Sequence, residues 1–132
     1  MTRFLGKHSD VFYALMRIVA GWCFLLHGAQ KMFGVLGGQK ATAPLMQVAG
    51  VIELVGGFLI MIGLLASWAA FLASGQMAVA YWIQHADSSS FLFPLTNGGE
   101  LAVVYCFVFL YVAARGAGPL SVASALNKPQ LG

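Results

Sequence analysis

Charged residues are scarce in this chain of 132 residues, at only 8% of the sequence. A soluble domain carries about 25% charged residues, so this chain has too few to cover a surface exposed to water. Hydrophobic residues make up 60% of it. The composition therefore excludes an ordinary soluble domain and predicts an integral membrane protein, and the length fits a single domain over residues 1–132.

The sequence also lacks the short motifs of nucleotide, metal and acyl-transfer chemistry. It contains no Walker loop, no HExxH motif and no serine nucleophile elbow. The two cysteines, Cys23 and Cys106, lie in apolar runs and form no CxxC or Cys/His cluster. We interpret them as small buried side chains, with a redox pair as the alternative. No metal site is predicted.

Basic residues are few and do not form a stripe. The seven lysines and arginines are spread over the whole chain, whereas nucleic-acid binding uses a basic patch on one face. The net charge of +3 therefore does not predict a nucleic-acid partner.

Long apolar runs are what the chain has in abundance. Residues 54–86 include no charged side chain. As one helix this run would be about 50 Å long, against a hydrocarbon core of about 30 Å. It therefore has to fold back, and we predict the turn in GLLASW (63–68), with Gly63 and Ser67 as turn or cap residues. The predicted spans are about 11–33, 47–64, 67–86 and 99–115.

These spans predict the fold class. Inside a bilayer every backbone polar group has to be satisfied within its own segment, so each span is expected to be a helix. Glycines on the first two spans allow the helices to approach closely; they are Gly21, Gly28, Gly50, Gly56 and Gly57. We predict an all-α membrane protein, an antiparallel four-transmembrane-helix bundle.

Four spans place both termini on one side of the membrane, and the distribution of basic residues predicts which side. Cytoplasmic segments carry an excess of lysine and arginine. The terminal side holds Arg3, Lys7, Arg17, Arg115 and Lys128, and the opposite side holds Lys31 and Lys40. The N and C termini are therefore predicted to be cytoplasmic.

Two charged residues, Arg17 and Glu53, lie well inside predicted spans, where a charge is costly and normally has a partner facing the bundle. Glu53 shares one helical face with Gly50 and Gly57, which indicates a buried position. From the helical rise, Arg17 and Glu53 are about 10 Å apart along the membrane normal, and Gln76 falls between them. We predict that Arg17 pairs with Glu53 and that Gln76 completes an internal polar layer, which is either structural or functional.

A second polar group is predicted near the outer ends of the spans. His27, Gln30 and Lys31 share one face of the first span. His85 lies at the end of the third span and Glu100 at the start of the fourth. Because helices of alternating direction bring these ends to one level, we predict an outward-facing polar layer, and we regard it as the candidate site.

Each residue of this layer also has a structural explanation. Lys31 can extend to the membrane interface, and His27 can be a satisfied bundle histidine rather than a proton-transfer group. Glu100 can complete a capping box with Asn97 as the N-cap. His85 can belong to an interfacial aromatic belt. These alternatives stay open.

Several segments, taken in order, resemble the DoxX family of small four-helix membrane proteins. They are RIVAGWCFLLHGAQKMFG, GVIELVGGFLIMIGL and FLFPLTNGGELAVVYCFVFLYVAARGAGPLSV, within about residues 15–123. The matching residues are Arg17, Gly28 with Lys31, Glu53 with Gly56 and Gly57, the NGGE start of the fourth span, and Gly116, Gly118 and Ser121 of the tail. In the tail, Ala123 stands where the family usually has an aspartate.

The resemblance implies a bacterial inner-membrane protein. The family is named after a subunit of a thiosulfate:quinone oxidoreductase, and other members are linked to oxidative or thiol stress and to quinone-type compounds. The first hypothesis is therefore a quinone-linked redox or oxidative-stress subunit, in which His27, Lys31 or Glu100 hydrogen-bonds the quinone oxygens.

Two further hypotheses are a scaffold or assembly partner in a membrane complex, and a small permease whose internal polar layer lines a path. In all three the bilayer is a partner, together with other subunits or a second copy of the chain. Whether the protein is an enzyme, and what its substrate or electron donor is, stays open from the sequence.

Overall fold

The computed structural model describes residues 3–132, which form helices and turns and no strands. Four long helices dominate: α1 is Ser9–Phe33, α2 is Pro44–Ile62, α3 is Ala66–Ala80 with an extension over Tyr81–His85, and α4 is Glu100–Arg115. Short helices occupy Gly6–His8, Pro94–Asn97, Val122–Ala125 and Pro129–Leu131. The predicted all-helical fold is confirmed, and α1 and α2 are long and apolar enough to cross a membrane.

The turn between α2 and α3 lies where the sequence predicts it. α2 ends at Ile62 and α3 begins at Ala66. Gly63 has a φ of +70°, a left-handed conformation that glycine adopts without the steric cost of a side chain. Its N–H donates to the carbonyl of Leu59 at 2.9 Å, so the uncharged run folds back as two helices.

α1 and α2 are antiparallel and meet backbone to backbone. A Cβ on Gly21 would lie 2.6 Å from the backbone nitrogen of Met61. A Cβ on Gly28 would overlap the backbone of Leu54, and Gly57 is equally crowded by α1. The predicted close approach is confirmed at these three glycines.

α3 and α4 form the second antiparallel pair. The Ser74 hydroxyl donates to the Cys106 carbonyl at 2.8 Å. Small residues on α3 make room for the large buried side chains of α4, Phe109 and Val112. The buried alanines are Ala66, Ala69, Ala70 and Ala73.

Both cysteines are free thiols. The Cys106 sulfur lies 3.6 Å from the Ser74 hydroxyl oxygen, within the α3–α4 contact. Cys23 and Cys106 are therefore not joined as a disulfide, and each lies partly buried against the core.

The start of α1, the end of α4 and the C-terminal tail lie together at one end of the bundle. The Tyr13 hydroxyl donates to the Gly116 carbonyl, and Arg115 forms an ion pair with Asp10. The tail then covers the α2–α3 turn, where the N–H of buried Ala123 donates to the Gly63 carbonyl at 3.1 Å.

Candidate binding site

A cavity of about 680 Å³ lies among the four helices. This volume falls within the range of about 300–1,000 Å³ that is typical of small-molecule sites. Several apolar side chains line the cavity and are also more than half exposed on the outer surface; on α2 and α3 they are Leu45, Val48, Phe71, Leu72, Val79 and Ile83. The cavity therefore opens sideways between α2 and α3.

Three polar side chains from three helices meet on the inner wall of this cavity. Glu53 of α2 is only 1% exposed. Its Oε1 atom forms an ion pair with the ammonium of Lys31 from α1. The amide nitrogen of Gln76 from α3 donates to the same oxygen at 2.6 Å. We call these residues the Lys31–Glu53–Gln76 cluster; Gln76 contacts Glu53, whereas the sequence predicts it between Arg17 and Glu53.

The cluster provides a charge partner for the buried Glu53 carboxylate. Taking a carboxylate out of water costs several kcal/mol, and a partner cation with added hydrogen bonds offsets this cost. The Lys31 side chain keeps 25% of its surface exposed, against 2% for Glu53. Lys31 therefore reaches inward to Glu53 instead of only extending to the interface.

Two acceptors of the cluster have no hydrogen-bond partner within residues 3–132. They are Oε2 of Glu53 and Oε1 of Gln76. Buried polar atoms are nearly always satisfied, and an unsatisfied one costs about 1–3 kcal/mol. Both side chains line the cavity, so the cluster has a local excess of buried acceptors beside a site that a small molecule fits.

Two π-helical segments border the cavity. Ile52–Gly56 contains Glu53, and Tyr81–His85 contains His85. In a π-helix the hydrogen bonds run from i to i+5, and such segments occur often at functional sites. Sequence reasoning missed both segments, because the hydrophobic pattern was interpreted with the α-helical period throughout.

The predicted polar face of α1 is divided between two environments. His27 and Lys31 line the cavity, and the His27 ring packs edge-on against the Tyr105 ring with a centroid distance of 6.2 Å. Gln30 instead donates from its side-chain amide to the Leu36 carbonyl at 3.1 Å. Gln30 therefore stabilises the loop after α1 rather than the site.

At the end of α3, His85 also lines the cavity. Its Nδ1 atom lies 3.3 Å from the Asn97 carbonyl oxygen, and its ring stacks on Tyr81. His85 is thus part of an aromatic group and also part of the cavity wall.

Glu100 does not join this layer. It is exposed, and it is absent from the residues that line the cavity. The predicted capping box is wrong, because Asn97 ends a separate short helix and Gly99 is the N-cap of α4. The Asn97 side chain accepts from the Gly99 N–H at 2.8 Å and donates to the Tyr81 hydroxyl at 3.0 Å.

The predicted pairing of Arg17 with Glu53 is also wrong. Arg17 is fully buried, and its guanidinium donates to the carbonyls of Ile60 and Met61, at 2.6 and 2.8 Å. It also donates to the Leu120 carbonyl in the tail at 2.5 Å. Carbonyls at the end of a helix carry partial negative charge, so backbone oxygens and not a carboxylate compensate this cation.

Helix register explains the error. In the antiparallel α1–α2 pair, Glu53 lies beside Gly28, which is about 16 Å along α1 from Arg17. Lys31 is one turn from Gly28 and is therefore the cation at the right level. Of the predicted site residues, the structure brings His27, Lys31, Glu53, Gln76 and His85 to one cavity. It places Arg17, Gln30 and Glu100 elsewhere.

No group of three or more His, Cys, Asp or Glu side chains in the described part of the chain is arranged to hold a metal ion. Two aromatic rings that line the cavity, Phe24 and Tyr105, lie 5.6 Å apart between ring centroids. The lining of the cavity is thus largely apolar and includes one polar cluster, which is typical of a site for a mostly apolar molecule with a polar head.

Comparison with known proteins covers nearly the whole chain. The sequence model of the DoxX family matches residues 12–86, a range that includes the Lys31–Glu53–Gln76 cluster. A protein of Haemophilus influenzae (strain ATCC 51907 / DSM 11121 / KW20 / Rd), described as uncharacterized, is 43% identical over 130 residues, which is 94% of this chain and 97% of that protein. No solved structure matches the chain. The chain therefore belongs to the DoxX family.

Proposed function

We propose that this chain is a four-span protein of the bacterial inner membrane that binds a lipid-soluble molecule of the quinone class. The observation that carries the proposal is the position of the Lys31–Glu53–Gln76 cluster. It is a buried polar group on the wall of an apolar cavity that opens through the outer surface of the bundle. An apolar pocket with a few convergent polar groups is the usual form of a small-molecule site.

The membrane placement follows from the outer surface. α1 and α2 meet the length and hydropathy of a span, and α3 and α4 pack beside them, with Phe24 and Phe109 rings 4.7 Å apart across the α1–α4 contact. The outward side chains of all four helices are largely apolar. The excess of basic residues on the terminal side supports a placement of both termini in the cytoplasm.

The cavity suits the two parts of a quinone. An apolar substituent fits the opening between α2 and α3, and the ring fits beside Phe24 and Tyr105. The headgroup oxygens then meet Lys31, whose ammonium carries three N–H donors and gives one to Glu53. His27, also on the cavity wall, is placed to hold or accept a proton near the same headgroup.

On this proposal the protein supplies a quinone site to a redox or oxidative-stress system, and the electron donor belongs to a partner subunit. The scaffold and permease hypotheses stay predictions. The glycines Gly21, Gly28 and Gly57 are engaged in the α1–α2 contact within this chain, so they do not point to an external partner. Co-purification with subunits but without quinone would favour the scaffold, and uptake by liposomes would favour the permease.

Binding of a short-chain benzoquinone to the full-length protein in mild detergent, followed by tryptophan fluorescence, tests the proposal. The best variant is Gly75→Phe. Gly75 lines the cavity and a Cβ there would meet nothing within 4 Å, so the new ring enters the cavity without a backbone clash. The matched control is Gly6→Phe, in the short helix before α1.

We expect saturable binding by the unmodified protein and by Gly6→Phe, and a loss of about tenfold or more in Gly75→Phe, since each tenfold loss is about 1.4 kcal/mol. Circular dichroism checks that both variants keep their helices. Absence of saturable binding, or equal affinity of the two variants, would overturn the proposed function.

A further inference from the structure

We infer that the Lys31–Glu53–Gln76 cluster selects a ligand that donates a hydrogen bond, so that the site prefers the hydroxyl-bearing quinol over the quinone. This inference rests on the proposed function and specifies its ligand. It is carried by the two buried acceptors that residues 3–132 leave without a donor.

The hydrogen bonds of the cluster show that two of its acceptor atoms lack a donor. Oε1 of Glu53 accepts from both Lys31 and Gln76, while Oε2 of Glu53 and Oε1 of Gln76 accept from no group in the described chain. A carboxylate only accepts, and so does an amide oxygen. The oxygens of a quinone are also acceptors and cannot satisfy either atom, whereas each hydroxyl of a quinol carries one donor.

Access to these atoms requires a small movement. Both are covered by neighbouring side chains, and Lys31 is the member of the ion pair with room to move, because a quarter of its side chain is exposed. A small shift of the Lys31 stem, with its ammonium still on Oε1 of Glu53, opens Oε2 to the cavity, and a ligand hydroxyl then donates to this atom. The charge pair between Lys31 and Glu53 is kept at Oε1.

Water is the competing donor. A water molecule held at the two acceptors would satisfy them without any ligand, and the site would then be indifferent to hydroxyl groups. A comparison between ligands that keep the same tetramethyl-substituted six-membered ring and differ at its two oxygens, of which one carries donors and the others do not, separates the two cases.

The experiment uses three probes: tetramethylhydroquinone, its dimethyl ether, and tetramethylbenzoquinone. Binding to the full-length protein in mild detergent is measured by anaerobic calorimetry. We expect the hydroquinone to bind about tenfold or more tightly than the other two, because a hydrogen bond to a charged group typically contributes this much or more.

Glu53→Gln tests the acceptor itself. Its amide oxygen has to take the place of Oε1, which accepts from Lys31 and Gln76, so its NH₂ group replaces the free acceptor Oε2 with a donor. We expect the preference for hydroquinone to disappear or reverse toward the quinone. Glu100→Gln is the matched control, since Glu100 is exposed outside the cavity, and it should keep the full preference.

The outcomes separate the inference from the proposed function. Equal affinity for hydroquinone, ether and quinone would overturn the inference and leave quinone binding in place. No saturable binding of any probe would overturn the proposed function. If Glu53→Gln does not fold, Glu53→Met removes the carboxylate acceptor while Lys31, a quarter exposed, can turn outward, and an undiminished hydroquinone preference in that variant would contradict the inference.

Discussion

Lys31 and Glu53 form their ion pair where Gly28 lets the backbones of α1 and α2 come into contact. The close approach brings a side chain from near the end of one helix to a carboxylate whose other polar partner is the Gln76 amide. The same glycine that allows tight packing therefore also sets the distance over which Lys31 reaches Glu53.

Removal of the cation should destabilise the bundle. In Lys31→Met the Glu53 carboxylate stays buried without its charge partner, and breaking a buried pair in this way costs about 3–5 kcal/mol. Lys40→Met, in the loop after α1, should cost close to nothing. Reversible unfolding in mixed micelles measures both, and equal stability of the two variants would contradict the role given to this pair.

Gly28→Ala should separate α1 from α2. The added Cβ would overlap the backbone of Leu54, and backbone cannot move aside as a flexible side chain does. We expect a loss of about 1–3 kcal/mol in the free energy of unfolding. Gly75→Ala is the control: its Cβ meets nothing within 4 Å, so it should be neutral or slightly stabilising, as alanine favours helices over glycine. A Gly28→Ala protein as stable as the control would show that the contact is looser than described.

Loss of the buried guanidinium should release the tail. In Arg17→Met the carbonyls of Ile60, Met61 and Leu120 lose their donor, which should cost about 1–3 kcal/mol or more. Limited proteolysis should then cut within residues 116–132 faster than in the unmodified protein. Arg115→Met, which removes an exposed ion pair instead, should change the cleavage rate little; similar rates in both variants would argue against Arg17 as the link between tail and bundle.

The loop after α3 should respond to acid. Hydrogen bonds from Ser89 and Ser90 lower the pKa of Asp87 to about 2 from its ordinary value of 3.8. Because the folded pKa is depressed, the contribution of this turn is fully present above about pH 4 and is lost as the pH falls through about 2. Exchange rates of the Ser89 and Ser90 amides should rise over that window. Asp87→Asn keeps an acceptor oxygen without a titrating group, so its rates should be independent of pH after correction for intrinsic exchange.

The features that sequence reasoning predicted correctly depend on local chemistry. Gly63 marks the α2–α3 turn because a left-handed residue is needed there, and Gly21, Gly28 and Gly57 mark helix contacts because only a missing side chain permits them. The burial of Glu53 followed from its glycine-rich face. Each of these depends on a residue and its neighbours in one segment.

The features that it missed depend on register between segments. Depth estimates placed Arg17 near Glu53. The antiparallel helices are in fact offset by a few turns, so that Glu53 pairs with Lys31 and Arg17 donates to carbonyls at the end of α2. The short helix Pro94–Asn97 likewise made Gly99 and not Asn97 the N-cap of α4, and Glu100 is exposed at the start of that helix. Helix propensity and periodicity do not determine such offsets, because they are decided by packing over the whole bundle.

The tail that covers the α2–α3 turn makes the two ends of the bundle unequal. At one end Arg17, the tail and the first turns of α1 close the interior, while the cavity begins near the other end, at the level of His27 and Lys31. On the proposed orientation, with the termini in the cytoplasm, the lateral opening begins at the outer end of the bundle and extends along α3 as far as Phe71. On that proposal a molecule that enters from the lipid approaches the Lys31–Glu53–Gln76 cluster from the side, and its head stops short of the closed cytoplasmic end.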